Sequence, residues 1–180
     1  MAHAEPRLVE IILDDATWDA ASLERRGEWR VVLDELIEAH KFALTPPPES
    51  AVDGSGMRLF VTADPERIRF DAQTLGGRHV VAAEVPIAEM RETLAEYFKI
   101  CFDMGRLGEG DNSSKLEALD IAKRLVHDEA AEVVQRLLHP LAPDHPTARR
   151  LFTLVVALHF DTTRLVRPHH LDATLQRLRE

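Results

Sequence analysis

The chain has 180 residues, of which 45% are hydrophobic, so it is long enough for one domain with a substantial core and too apolar for a disordered polypeptide. Its net charge of −9, from 22 basic and 31 acidic residues, argues against broad nucleic-acid binding and against docking on anionic membranes. The single cysteine, Cys101, excludes an intrachain disulfide, and no stretch has the form of a signal peptide or a membrane span. These features predict a soluble cytoplasmic protein.

The first part of the chain predicts a strand, a helix and a loop. The apolar run Arg7–Leu13 indicates the strand. Apolar residues at helical spacing indicate a helix over Glu28–His40, and Gly27 weighs against a much earlier start. The proline-rich segment Thr45–Gly56 predicts the loop, since three consecutive prolines supply no backbone donors.

A β-meander follows, with strands predicted at Met57–Ala63, Arg67–Ala72 and Arg78–Val85. In the second strand apolar side chains alternate with charged ones, which is typical of a sheet with one buried and one wet face. The turns between the strands contain the Asp64–Glu66 segment and the Gly76-Gly77 pair.

Three helices complete the core. Pro86 suits the first turn of one helix, Ser113 or Ser114 begins the longest, which runs to about Leu138, and the last covers Thr147–Phe160. The last helix is apolar nearly all round, which predicts a buried central position. The order of elements predicts an α+β fold in which an antiparallel sheet (strand, helix, three-stranded meander) is packed by three C-terminal helices.

We expect one α+β domain over residues 1–160 and a C-terminal extension over residues 161–180. Leu171, Leu175 and Leu178 recur on one helical face and predict a short amphipathic helix. A helix this short is stable only when its leucine face docks, on its own domain or on a second subunit. The sequence therefore leaves a homodimer through this C-terminal helix open.

A polar stripe follows one face of the longest helix. Glu117, Asp120, Arg124 and His127 fall in one narrow wedge of the helical wheel. A carboxylate, guanidinium and imidazole in a row suit general acid–base chemistry or anion binding. The alternative is a solvated stripe of charges that pair with one another, since Asp120 and Arg124 are four residues apart.

Two arginines, Arg149 and Arg150, come early in the last core helix, where the helix dipole disfavours positive charge. A compensating negative group is therefore expected. It is either an internal carboxylate, with Glu117 or Asp120 as the first choices, or a bound phosphate or carboxylate ligand.

No metal and no cofactor are predicted. His159, near the end of the last core helix, could join His127 in a metal site, but the sequence contains no established metal-ligand spacing. Cys101 lies among apolar residues, which indicates a buried thiol and not a nucleophile. The glycine pairs belong to no phosphate-binding pattern.

Two C-terminal segments, SSKLEALDIAKRLVHDEA and HPTARRLFTLVVALHF, resemble a small bacterial family known as uncharacterised protein family (UPF) 0262. The resemblance covers about residues 7–160, and the family pattern ends near His159. It implies a bacterial cytoplasmic protein and supplies no function, because none is established for the family. The matching positions are Ser114, Leu116 to Asp120, Lys123, Arg124, His127 to Glu129, Thr147 to Leu154, Leu158 and His159.

Two functions remain open on this sequence. The first is a small non-enzymatic interaction or regulatory domain with an unidentified protein partner, which the lack of a recognised catalytic set favours. The alternative is a small enzyme or an anion-binding sensor that uses an arginine, histidine and carboxylate cluster between the last two core helices. Convergence of these residues in a concave pocket would favour the second function, and pairing on a convex face would favour the first. The cluster comprises Glu117, Asp120, Arg124, His127, Arg149, Arg150 and His159.

Overall fold

A computed structural model describes residues 7–44, 56–107, 113–161 and 168–179 and has an α+β architecture, as the sequence predicts. A four-stranded sheet packs against helices, and two further helices lie between the first strand and the second. The strands are β1 (Leu8–Leu13), β2 (Met57–Ala63), β3 (Arg67–Thr74) and β4 (His79–Pro86). The helices are α1 (Asp15–Asp19), α2 (Leu23–Glu38), α3 (Arg91–Gly105), α4 (Ser113–Leu137), α5 (His145–His159) and α6 (Pro168–Arg177).

The sheet is mixed and not wholly antiparallel. Its strands lie in the order β1-β2-β3-β4, and the predicted meander of β2, β3 and β4 is antiparallel throughout. β1, however, pairs with β2 in parallel, with Leu13 beside Val61. The reason is the connection between them, because a crossover that contains helices returns the chain in the same direction.

One face of the sheet is buried. Alternate residues of β2 and β3 are almost inaccessible to solvent, while their neighbours are partly or fully exposed. Alternation with a period of two places all of these buried side chains on one face, where the helices cover them. The buried residues are Met57, Leu59, Val61, Ile68, Phe70 and Ala72.

The helix α2 starts five residues earlier than the sequence predicts. Ser22 is its N-cap, and the Ser22 hydroxyl accepts a hydrogen bond from the Arg25 amide at 3.3 Å. Gly27 lies inside the helix on an exposed turn, where nothing within 4 Å would meet an added Cβ. The N-cap hydrogen bond therefore outweighs the cost of about 1 kcal/mol for an internal glycine.

The helix α5 lies at the centre of the core, as its apolar sequence predicts. Asp144 caps its N-terminus by accepting a hydrogen bond from the Thr147 amide at 2.9 Å, so the helix begins at His145. The indole Nε1 of Trp29, on α2, donates to the Ala157 carbonyl at 2.7 Å. Nine residues of α5 are buried: Thr147, Ala148, Leu151, Phe152, Leu154, Val155, Val156, Ala157 and Leu158.

Between the sheet and α4, the chain forms a 3₁₀ turn at Ile87–Met90 and then α3. Pro86 ends β4 and does not open the helix, so the predicted start of α3 is displaced by five residues. Residues 108–112, between α3 and α4, lie outside the described residues, as does the loop expected at Thr45–Gly56 except for Gly56.

The C-terminal helix α6 contacts α3. Leu178 is buried in the main core and Leu175 packs partly buried against it, so the described part of the leucine face docks on its own chain. The side chain of Leu171 lies outside the described residues. In the part of the chain that the structure describes, no helix combines the length and hydropathy needed to cross a membrane.

Candidate functional site

Three of the candidate residues lie on the N-terminal half of α4, facing solvent. The Arg124 guanidinium forms an ion pair with the Asp120 carboxylate one turn earlier. Glu117 is exposed one turn before that. This arrangement is a solvated stripe with an internal pair of opposite charges, a contact that contributes little to stability.

Arg149 binds a carboxylate of α4, which confirms the prediction that one of the two arginines does so. The partner is Asp128, whose Oδ1 lies 2.8 Å from Arg149 Nη1, and not Glu117 or Asp120. His145 Nε2 contacts the same oxygen at 3.1 Å. Arg150 instead donates to the Pro146 carbonyl of its own helix at 3.2 Å.

The length of the helices explains why the predicted partners were wrong. α4 and α5 are joined by a short turn, so residues meet when they lie at similar distances from it. At 1.5 Å per residue, Glu117 is about 30 Å from the end of α4 and Asp120 about 25 Å, whereas Arg149 is only about 6 Å from the start of α5. Asp128, at about 14 Å, is much nearer.

The Asp128 carboxylate is held in its charged form. The hydrogen bond from His145 lowers the pKa of Asp128, and the charge of Arg149 lowers it further. Because this carboxylate neutralises Arg149, the arginine is not available as a lone anion-binding group. The dipole argument for a ligand is also weaker than expected, since α5 begins at His145 and Arg149 lies in its second turn.

His127 is half-buried between two aromatic rings. Its imidazole makes edge-on contacts with Tyr97 and with Phe152, each at 5.3 Å between ring centroids. Burial lowers the pKa of His127 to about 4, and the charges of Arg149 and Lys123 act in the same direction. The ring is therefore neutral at neutral pH, and its contacts are those of a core aromatic residue.

Next to His127, Tyr97 and Cys101 retain their protons. Burial raises the pKa of the Tyr97 hydroxyl and of the Cys101 thiol, and the two side chains share a hydrogen bond. The Lys123 ammonium lies 5.9 Å from the centroid of the Tyr97 ring. A thiol in this environment is not activated as a nucleophile, because nucleophilic cysteines have a lowered pKa.

His159 belongs to a different region of the molecule. It lies about 10 Å further along α5 than Phe152 and lines an open cleft of about 870 Å³. None of the residues that line this cleft belongs to α4. The seven candidate residues therefore do not meet in one place: Asp120 and Arg124 pair on the surface, Arg149 pairs with Asp128, Glu117 is exposed, Arg150 contacts its own helix, and His127 and His159 lie in different surroundings.

No metal centre is found within the described ranges. In those ranges, no group of three or more histidine, cysteine, aspartate or glutamate side chains is arranged to hold a metal ion. His127 contacts aromatic rings, and His159 lies in the cleft wall, so the pair suggested by the sequence is not brought together.

The feature that sequence reasoning missed is the exposure of apolar residues on α4. Leu116, Ile121 and Leu125 are 48%, 51% and 57% exposed. The buried residues of α4 begin only at Val126. The signal was present in the spacing, since Ala118, Ile121 and Leu125 recur at i, i+3 and i+7 on the side of the helix opposite the buried Ala130 and Val134.

Comparison with known proteins identifies similar sequences in other bacteria. A family model described as "Uncharacterised protein family (UPF0262)" matches residues 5–161. A UPF0262 protein of Ruegeria sp. (strain TM1040) is 32% identical over 155 residues, which are 86% of this chain and 98% of the relative. The UPF0262 protein of Erythrobacter litoralis (strain HTCC2594) is 34% identical over 160 residues, 87% of this chain and 98% of the relative. No solved structure matches the chain.

Proposed function

The chain belongs to the uncharacterised protein family UPF0262, and from this premise we propose that it is a non-enzymatic interaction domain of the bacterial cytoplasm. The observation that carries the proposal is the row formed by Ala118, Ile121 and Leu125, hereafter the α4 stripe. All three residues are exposed on the same side of α4. Exposed apolar side chains that recur along one helix face are typical of a surface that binds another protein.

The ionic contacts also support an interaction domain over an enzyme. Arg124 is paired with Asp120, and Arg149 is paired with Asp128. These carboxylates and guanidiniums therefore neutralise one another on the surface of α4 and α5. They are not free for acid–base chemistry or anion binding. An acidic chain with one protonated thiol is suited to the cytoplasm, where thiols stay reduced.

We propose that the occupant of the α4 stripe is a second copy of this chain. Two α4 helices that pair antiparallel, about a twofold axis between Asp120 and Ile121, bring their stripes together. Glu117 and Arg124 lie on the same flank of the stripe, on either side of that axis. Glu117 of each copy then faces Arg124 of the other, so the charges beside the stripe are complementary to themselves.

The ion pair that must break when the dimer forms is weak. Arg124 leaves its pair with Asp120 to meet Glu117 of the other copy, and an exposed pair of this kind contributes at most about 1 kcal/mol. The C-terminal helix is the less suitable interface, because Leu178, which directly follows that helix, is already buried in its own chain. The α4 stripe, by contrast, is exposed to solvent.

Sedimentation velocity over a series of protein concentrations tests the proposal. We expect a reversible dimer for the native chain and a monomer for Ile121→Glu, which buries a charge at the centre of the interface. Val31→Glu is the matched control, since Val31 is 58% exposed on α2, away from α4. A native chain that stays monomeric at every concentration, or a dimer that Ile121→Glu leaves intact, would contradict the proposed interface.

Charge exchange sharpens the same test. Glu117→Arg places like charges opposite one another and should weaken the dimer, as should Arg124→Glu. The double variant, Glu117→Arg with Arg124→Glu, restores both pairs and should recover most of the affinity. An additive loss in the double variant would show that the two residues do not meet across the interface.

A further inference from the structure

The cleft that contains His159 is built from five separate parts of the chain. Its walls come from the turn between β2 and β3, the start of α3, the end of α5 and the end of α6. Trp29 and Arg25 of α2 form part of the floor and wall. At about 870 Å³, the cleft has the size of a site for a small organic molecule.

Two of the arginines that line the cleft are already engaged. Arg67 lies 3.9 Å from the Asp64 carboxylate and 3.5 Å from each of the Glu66 and Glu84 carboxylates. Arg25 Nη2 donates to three carbonyls at the end of α5, at 3.1 to 3.3 Å, and so neutralises the negative pole of that helix. Neither arginine needs a ligand to compensate its charge.

The other two arginines that line the cleft, Arg91 at the start of α3 and Arg177 at the end of α6, are different. Within residues 7–44, 56–107, 113–161 and 168–179, neither side chain makes a hydrogen bond or an ion pair. Both guanidiniums therefore keep all of their donors for a ligand. Planar guanidiniums suit carboxylate and phosphate groups, which they bind through two parallel hydrogen bonds.

His159 lies in the same wall. Burial lowers the pKa of His159, and the charge of Arg177 lowers it further, so the imidazole is neutral at neutral pH. A neutral imidazole still donates one hydrogen bond and accepts another. The lining also contains the apolar side chains of Ile87 and Leu178, which leave room for the uncharged part of a ligand. Its carboxylates, those of Asp64, Glu66 and Glu84, are paired with Arg67.

We infer that this cleft binds a small organic anion, whose carboxylate or phosphate group lies between Arg91 and Arg177 with His159 as a neutral hydrogen-bonding partner. The inference goes beyond the proposed dimer, because no cleft residue belongs to α4. It also gives the C-terminal helix a role. Arg177 lies outside residues 5–161, the part of the chain that matches the family model.

Isothermal titration calorimetry of the full chain, at constant ionic strength, tests the inference with inorganic phosphate and with succinate as probes. We expect saturable binding of at least one probe. Saturation by phosphate alone assigns the group to a phosphate ester, and saturation by succinate alone assigns it to a carboxylate. Arg91→Gln and Arg177→Gln should each weaken binding at least about tenfold, the effect of losing a charge-assisted hydrogen bond.

Arg179→Gln is the matched control, because it removes the same charge two residues from Arg177, at a position outside the cleft lining. It should leave binding unchanged. Arg91→Lys, which keeps the charge but not the planar donors, should retain part of the affinity. Absence of saturable binding for both probes would overturn the inference. So would an equal loss in Arg179→Gln, because that result would show only a general effect of net charge.

Discussion

The two halves of α4 carry similar apolar sequences and have opposite environments. From Val126 onward the helix packs into the protein, with Val126, Ala130, Ala131 and Val134 buried. Residues 113–125 contribute no buried side chain, although leucine and isoleucine recur there as well. The difference shows that apolar spacing predicts a helix, whereas the neighbouring helices decide which side of it is covered and over what length.

A pair of charge substitutions, one in each half, should give the largest contrast. Val134→Asp places a carboxylate at a fully buried position and should destabilise the fold by on the order of 4 kcal/mol or more. Leu125→Asp changes an exposed position and should stay within about 0.5 kcal/mol of the native chain. Urea unfolding followed by circular dichroism, at low protein concentration to exclude any dimer, measures both.

The contrast would fail if Leu125→Asp lost as much stability as Val134→Asp. That result would mean that the N-terminal half of α4 is covered within the monomer. Leu116→Asp provides a second exposed position in the same half and should behave as Leu125→Asp does.

His127 lies at the boundary between the halves and should make stability depend on pH. Its pKa is lowered from 6.5 in the unfolded chain to about 4, so its contribution is complete above pH 6.5 and is lost as the pH falls toward 4. The groups that act on it are the charges of Lys123, Asp128 and Arg149. Because the ring is only partly buried, we expect a loss on the order of 1–2 kcal/mol.

His127→Phe isolates this effect. Phenylalanine keeps edge-on contacts with Tyr97 and Phe152 but cannot take up a proton. Urea unfolding between pH 7 and pH 4 should therefore show a smaller loss of stability in the variant. The loss that remains includes His159, whose pKa is lowered as well. Identical pH profiles for the two proteins would show that the His127 ring is protonated without cost in the folded state.

The exposed ion pair on α4 should have the smallest effect. Asp120→Ala and Arg124→Ala should each change the free energy of unfolding by no more than about 0.5 kcal/mol, because solvent screens the pair. Thermal unfolding at low and high salt measures this. A clearly larger loss of stability that also depends on salt would indicate that Asp120 and Arg124 are part of a wider charge network.

Local patterns in the sequence were sufficient for most of the fold. Alternation in β3 predicted the buried face, and the all-round apolar sequence of α5 predicted its central position. The parallel pairing of β1 with β2 was not predictable in this way, because strand direction depends on the path of the connection. The starts of α2 and α5 were displaced because Ser22 and Asp144 act as N-caps.

The candidate site was harder to predict because it depends on contacts between elements. A helical wheel placed Glu117 and His127 on one face, yet one is exposed and the other contacts Tyr97 and Phe152. The wheel describes one helix and carries no information about its neighbours. The cleft was also beyond sequence reasoning, since Arg91 and Arg177 lie 86 positions apart (177 − 91) and line the same cleft only through packing.

The parallel strand at the edge of the sheet also has a consequence for the order of folding. β2, β3 and β4 are joined by short turns, so the meander can form from local contacts alone. β1 is expected to join later, because Leu8 pairs with Met57, which is 49 positions away along the chain (57 − 8). Closing a loop of that length has an entropic cost before any contact forms. We expect the N-terminal strand to be the last to join the sheet and, during partial unfolding, the first to leave it.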